Sequence, residues 1–211
     1  MAGLSPANAR ERRPLSRALD GMAETPSAPS IEDLRRAVKA AVRLVPGFPS
    51  PGVNFRDISA TWERQPQLFR LLVDEIARPY RESPPDVVLS IESLGYIFGA
   101  PVAYVLQCRL VLARPSGKLA GGTLRTTYAM SYSANRQLEI HAEAIQPKER
   151  VLVVDDVLAS CGTIAAALEL VERAGAFCVG VGCAVEISYP GARSRLRHIG
   201  GEVRIHAVAQ V

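Results

Sequence analysis

One segment constrains this chain more than any other: R-V-L-V-V-D-D-V-L-A-S-C-G-T over residues 150–163. Val151 to Val154 form a short apolar run of the kind that fills a strand buried on both faces. Asp155 and Asp156 follow where such a strand emerges. Adjacent carboxylates repel each other and gain nothing from a core. They either cap the next turn, or accept hydrogen bonds from sugar hydroxyls or metal-bound water. The first reading accounts for one aspartate better than for two. Ala159-Ser160-Cys161-Gly162-Thr163 then lead into a helical stretch over 163–174. Small residues let successive backbone N–H groups turn toward one point, and a helix N-terminus adds about half a positive charge. Ser160 and Thr163 add hydroxyl donors. The lysine of a nucleotide-triphosphate loop is absent, so the pattern predicts a phosphate site of another kind.

The rest of the chain alternates helix and strand. Ser30 reads as a helix N-cap. Ile31, Leu34, Val38, Ala41, Val42 and Val45 recur at spacings of three and four, which predicts a helix stopped by Pro46-Gly47. A second helix is predicted over 68–77 and a buried one, apolar almost all round, over 95–107. Strands are predicted at 86–91, 109–113, 150–154, 177–185 and 203–208. Residues 114–137 contain Gly117, Gly121, Gly122 and many hydroxyls, which predicts a long mobile loop. Apolar strands interleaved with helices give an α/β fold with a mostly parallel sheet covered on both faces. Ligands in such sheets bind beyond the carboxyl ends of the strands.

Length and composition narrow the function. The 211 residues suit one domain, 30–211, after a tail over 1–29 whose prolines and small polar residues predict disorder. No apolar run reaches the ~20 residues of a membrane helix, and no secretory signal opens the chain, so a cytoplasmic protein without membrane contact is expected. The net charge of +4 is spread along the chain rather than gathered on one helix. That argues against nucleic acid and suits phosphorylated small molecules. The four cysteines at 108, 161, 178 and 183 have no metal-ligand spacing; no protein metal site is expected, and three of the thiols lie in apolar stretches.

The 150–163 segment resembles the phosphoribosyl pyrophosphate motif of type I phosphoribosyltransferases. The resemblance extends over about 46–190 and is strongest to the adenine phosphoribosyltransferases. It rests on F-P-S-P-G-V-N-F-R-D-I-S (48–59), G-Y-I-F-G (95–99), S-G-K-L (116–119) and L-E-I-H-A-E-A-I (138–145), in that order and spacing. It implies a five-stranded parallel core with a small N-terminal hood. It also implies transfer of a phosphoribosyl group from its pyrophosphate to a purine, adenine foremost, in a homodimer, with Mg²⁺ bound through the donor's pyrophosphate and ribose. By resemblance, Asp155 and Asp156 contact ribose hydroxyls, and Ala159, Ser160, Cys161, Gly162 and Thr163 hold the 5′-phosphate. Phe55 stacks on the base, with Arg56 nearby; taken alone, Phe55 could be a core aromatic and Arg56 a surface charge. Asn54 is either an added base contact or an exposed turn residue. Glu92 and Ser93 bind pyrophosphate through the backbone. Arg114 and Lys118 approach the leaving group, one of them from a partner subunit in some arrangements. Tyr132 belongs to the loop that closes over the reaction.

Four positions depart from the family pattern. Leu94 replaces an arginine of the pyrophosphate loop, and Pro115 replaces the lysine of an Arg-Lys pair. Ser131 replaces an acid, and Ser160-Cys161 replaces Thr-Gly. Each charge-assisted hydrogen bond contributes ~1.5–3 kcal/mol. Two lost cations therefore correspond to roughly 10²–10⁴-fold in donor affinity or rate. Two alternatives to an adenine enzyme follow: a paralogue using another sugar pyrophosphate, and a non-catalytic nucleotide sensor. The tail is too short and polar for a DNA-binding domain.

Overall fold

The structure is a computed structural model that describes residues 29–48, 50–130, 133–196 and 203–211. The expected disordered tail therefore falls almost wholly outside the described residues. Helix α1 (Ile31–Ala41) starts as the sequence predicts: the Ser30 hydroxyl accepts the Asp33 N–H at 3.2 Å. It buries Leu34, Val38 and Ala41 but ends four residues early. Arg43–Pro46 instead form strand β1, paired antiparallel with β2 (Asn54–Asp57). Val42 and Val45 fit helical spacing, yet β-branched side chains suit a pleated strand, and the partner at 54–57 decides between the two.

The main sheet has seven strands, in the order β5-β6-β4-β3-β7-β8-β9. These are β3 (Val87–Ile91), β4 (Arg109–Pro115), β5 (Thr123–Met130), β6 (Ser133–His141), β7 (Arg150–Leu158), β8 (Phe177–Glu186) and β9 (Ile205–Gln210). The run β4-β3-β7-β8-β9 is parallel throughout, which is the expected five-stranded core. The other two strands correct the sequence reading. Residues 114–137 are not a loop: β5 and β6 form an antiparallel hairpin that meets the end of β4 at Arg114↔Glu139 and Pro115↔Leu138. Glycines and hydroxyls hid it, because its buried face draws on only a few residues, among them Leu138 and Ile140.

Alternate residues of the core strands serve two opposite hydrophobic cores, as the period of two requires. Val87, Leu89, Val151, Val153 and Val181 face α5 (Gly162–Arg173). Val88, Leu152, Val154, Ala184 and Val208 face α1, α3 (Pro66–Ala77) and α4 (Gly95–Leu106). The short helices α2 (Ala60–Glu63) and α6 (Ala192–Leu196) complete the set. Cys108, Cys161, Cys178 and Cys183 are all free thiols. No helix among the described residues is long and apolar enough to cross a membrane.

Candidate active site

Two segments emerge at the carboxyl ends of the parallel strands, and the separate β1–β2 sheet supplies a third. The first follows β3. The peptide between Glu92 and Ser93 is cis, and the Glu92 N–H donates to the Ala113 carbonyl of β4 at 2.9 Å. The Glu92 side chain accepts from Arg114 Nε at 2.6 Å and from Lys118 Nζ. Arg114 Nη1 also donates to the Lys118 carbonyl at 2.9 Å. Glu92, Arg114 and Lys118, separated in sequence, thus form one cluster of two cations around one acid. Burial works against the Glu92 charge, but the hydrogen bonds from Lys118 and Arg114 outweigh it and hold the carboxyl below its usual range. Tyr96, the second residue of α4, donates to the Ala113 carbonyl at 3.0 Å. Burial, followed by the Glu92 charge, pushes its hydroxyl up to about 12, so it remains a donor.

The second segment is the end of β7. Asp155 and Asp156 are half-buried, and the Asp156 N–H donates to Asp155 Oδ1 at 3.0 Å. Burial pushes the Asp155 carboxyl well above the usual carboxylate range, and the neighbouring Asp156 charge adds to it. Asp156 is raised as well, chiefly by burial, with Asp57 of β2 adding a further unfavourable charge. The acid pair is therefore short of positive partners. It is built to accept hydroxyl donors or a hydrated cation, which would let both carboxyls ionise. After the pair, residues 159–161 turn into α5. Cys161 has φ 62°, in the left-handed region, and directly precedes the helix. Its side chain is only 3% exposed and packs in the core beneath α5.

Gly95 joins these two segments. A Cβ there would lie 2.8 Å from Asp155 Oδ1 and 3.2 Å from the Val154 carbonyl. Only a bare Cα lets the start of α4, just after Glu92 and Ser93, approach the acid pair this closely.

The third segment is the β1–β2 hood. Phe55 is half-buried and meets Phe48 edge-on, with ring centroids 5.2 Å apart. Arg56 is half-buried, and Asn54 is exposed as the first residue of β2, opposite Pro46, rather than in a turn. Asp57 caps the following turn by accepting the Ser59 N–H at 2.8 Å, and it pairs with Arg43. Tyr132 lies outside the described residues, between β5 and β6.

The model of the phosphoribosyl transferase domain family matches residues 63–203. The adenine phosphoribosyltransferase of Acidothermus cellulolyticus is 45% identical over 164 residues, covering 78% of this chain and 92% of the relative. The crystal structure of the Rhodothermus marinus adenine phosphoribosyltransferase superposes with a TM-score of 0.77 at 37% identity, over 85% of this chain and 99% of that one. The Giardia lamblia enzyme, solved with 9-deazaadenine, gives 0.79 at 30% identity, over 87% and 99%. The chain belongs to the adenine phosphoribosyltransferase family.

Within that family frame the departures take structural form. Leu94 sits at the N-cap of α4, between the Glu92 cluster and Gly95. Pro115 ends β4 in register with Leu138. Cys161, where the resemblance implies glycine, adopts a backbone conformation that glycine adopts at lower cost. Its thiol packs into the core, so the substitution adds local strain without placing a side chain over the cradle.

Sequence reasoning overlooked Phe48, Gly95 and Glu139 as residues that shape this site. Glu139 had a signal: it is a lone acid between two apolar residues, L-E-I, in a segment that had to be buried on one face.

Proposed function

We propose that this protein is an adenine phosphoribosyltransferase, converting adenine and phosphoribosyl pyrophosphate to AMP and pyrophosphate. The observation that carries the reading is the close approach, through Gly95, of the Glu92–Arg114–Lys118 cluster's segment to the Asp155–Asp156 pair. One end suits the leaving pyrophosphate and the other a ribose with its 5′-phosphate. The 45% identity to a named adenine enzyme supports the base.

In this reading the bond from the anomeric carbon to pyrophosphate oxygen breaks as a bond from purine N9 forms, and N9 gives up its proton. The chain supplies no covalent nucleophile. Phe55 stacks on adenine, with Asn54 and Arg56 at its edge. Asp155 and Asp156 accept the ribose hydroxyls. Backbone N–H groups of Ala159, Ser160, Cys161, Gly162 and Thr163, with the Ser160 and Thr163 hydroxyls, hold the 5′-phosphate at the start of α5. Glu92 and Ser93 present backbone to the pyrophosphate, Arg114 and Lys118 stabilise its developing charge, and Tyr132 closes over the reaction. Among the described residues no group of three metal-ligating side chains could hold a metal ion. A Mg²⁺ carried on the donor's own oxygens is part of the proposal, with the acid pair in place to reach its waters. Bound there, it would neutralise charge on the leaving group. A homodimer is part of the proposal, supported by the exposed apolar side chains Tyr104, Leu110 and Leu112 on α4 and β4.

The test is a panel of four bases, adenine, guanine, hypoxanthine and xanthine, each with phosphoribosyl pyrophosphate and Mg²⁺. Adenine should be used at least a hundredfold more efficiently than the others. Equal use, or preference for an oxopurine, would reject adenine as the substrate. Adenine binding without turnover would favour a different donor, the reading that Leu94 and Pro115 motivate.

A further inference from the structure

Glu139 is the most deeply buried acid among the described residues. It lies on β6 with no exposed surface, yet it faces neither hydrophobic core as an isolated charge. Its Oε1 accepts the Gly117 N–H at 2.8 Å. Its Oε2 accepts from Arg125 Nε at 3.1 Å and from the Thr123 hydroxyl at 3.3 Å. The Leu119 N–H points at the same carboxylate. The two backbone donors at 117 and 119 flank Lys118. The turn that carries Lys118 is therefore wrapped around Glu139, with Gly117 at φ 85° to allow it.

The strand register places Arg114, Glu139 and Arg125 in one transverse row across β4, β6 and β5. Directly opposed residues share a sheet face. Arg125 also offers its backbone carbonyl to Arg173 of α5, the helix that begins at the phosphate turn. Glu139 thus stands where the lysine turn, the β5–β6 hairpin and the arginine of β4 meet. Burial opposes its charge, but the donors from Gly117 and Arg125 outweigh that and keep it ionised.

We propose that Glu139 is a positioning residue: it fixes the backbone on both sides of Lys118, so that the ammonium meets the leaving pyrophosphate together with Arg114. A site lacking two of the cations that the family resemblance implies depends the more on the placement of those it keeps. The proposal rests on the assignment of the Glu92 cluster to pyrophosphate. It predicts an effect confined to the donor side of the site.

The experiment uses the full chain and the substitutions Glu139→Gln, Thr123→Val and Lys118→Ala. Glu139→Gln keeps the shape and removes the charge that holds the turn. Misplacing a reacting group by ~1 Å can cost ~10²-fold, so a partial shift should raise KM for phosphoribosyl pyrophosphate about tenfold. KM for adenine should stay unchanged. Calorimetric affinity for Mg²⁺-pyrophosphate should fall by the same factor. Thr123→Val, which removes one donor and leaves the carboxylate buried, should move both in the same direction by less, and it keeps the test open if Glu139→Gln does not fold. In a Lys118→Ala background, Glu139→Gln should have no further effect on pyrophosphate affinity. Equal losses for adenine and donor, or full additivity with Lys118→Ala, would overturn the proposal and leave Glu139 a general structural acid. Wild-type protein that binds Mg²⁺-pyrophosphate but makes no AMP would reject the catalytic reading alone. Protein that binds no pyrophosphate would reject both.

Discussion

Gly95→Ala probes the junction on which the site depends. The added methyl would lie 2.8 Å from Asp155 Oδ1, 3.2 Å from the Val154 carbonyl and 3.3 Å from Asp155 Cα. Two of these three neighbours are backbone atoms of β7, in the middle of the sheet, so they cannot swing aside as a side-chain tip would. Ordinary contacts begin near 3.4 Å, so the backbone of β7 must yield by about 0.2 Å (3.4 − 3.2), and the Asp155 carboxylate, whose Oδ1 is the nearest atom, must move by about 0.6 Å (3.4 − 2.8). Overpacking of this kind costs ~1–3 kcal/mol. Alanine's better helix propensity returns at most ~1 kcal/mol, and less at the first residue of a helix. The net expectation is a loss of roughly 1–2 kcal/mol in urea unfolding. The effect on catalysis should exceed the effect on folding, because the displaced groups are the acid pair and the segment behind Glu92. A shift of this size corresponds to about tenfold in kcat/KM for the donor. Initial rates at varied phosphoribosyl pyrophosphate, alongside urea titrations, give both numbers. A Gly95→Ala protein with wild-type stability and wild-type donor kinetics would show that the close approach of α4 to Asp155 is not what aligns the site.

Asp156→Asn should stabilise the unliganded protein while weakening donor binding at least tenfold. The folded pair titrates above the free carboxylate range, so its protonated form favours folding. That stability is fully present below the unfolded pKa of about 4 and is lost as pH rises through the folded value. The Tm advantage of Asp156→Asn over wild type should therefore grow as pH rises above about 4, reaching a few degrees or ~1 kcal/mol near neutrality. A constant offset would contradict the charge argument. Leu94→Arg and Pro115→Lys restore cations beside Arg114 and Lys118, and each should lower KM for the donor about tenfold, one charge-assisted hydrogen bond apiece; unchanged KM in both would refute the account of those departures. Cys161→Val puts a β-branched side chain at φ 62° and should cost about 2 kcal/mol in denaturant unfolding, whereas a neutral result would mean the turn tolerates any side chain.

Much of this architecture could be read from local sequence because the core strands are buried on both faces. A run such as V-L-V-V admits few alternatives, and five such runs separated by helices fix a parallel sheet. The 150–163 segment likewise carries a local signal of ligand binding, since two acids and a small-residue turn at a strand end are costly to keep without a ligand. The failures came where local pattern and partner disagree. Val45 carried helical spacing but became part of the hood because β2 was available to pair with β1. The β5–β6 hairpin was invisible because its glycines and hydroxyls resemble a loop, and its apolar face needs the sheet edge and α5 to be complete. Gly95 acts through the space a Cβ would need, 2.8 Å from an atom of a residue 60 positions away, and Glu139 through a 2.8 Å hydrogen bond to one 22 positions away. A linear reading places both in the right segments without revealing what they touch.

The central claim concerns what this site joins, and one reaction mixture addresses it. Purified protein, adenine, phosphoribosyl pyrophosphate and Mg²⁺ are sampled over time, and AMP and pyrophosphate are quantified from the same aliquots. The account predicts that the two products rise together in equal amounts, at a rate of the order found for ordinary enzymes, ~1–10³ s⁻¹. Adenine left unconsumed while the protein demonstrably binds it would contradict the account and turn attention to a different sugar pyrophosphate.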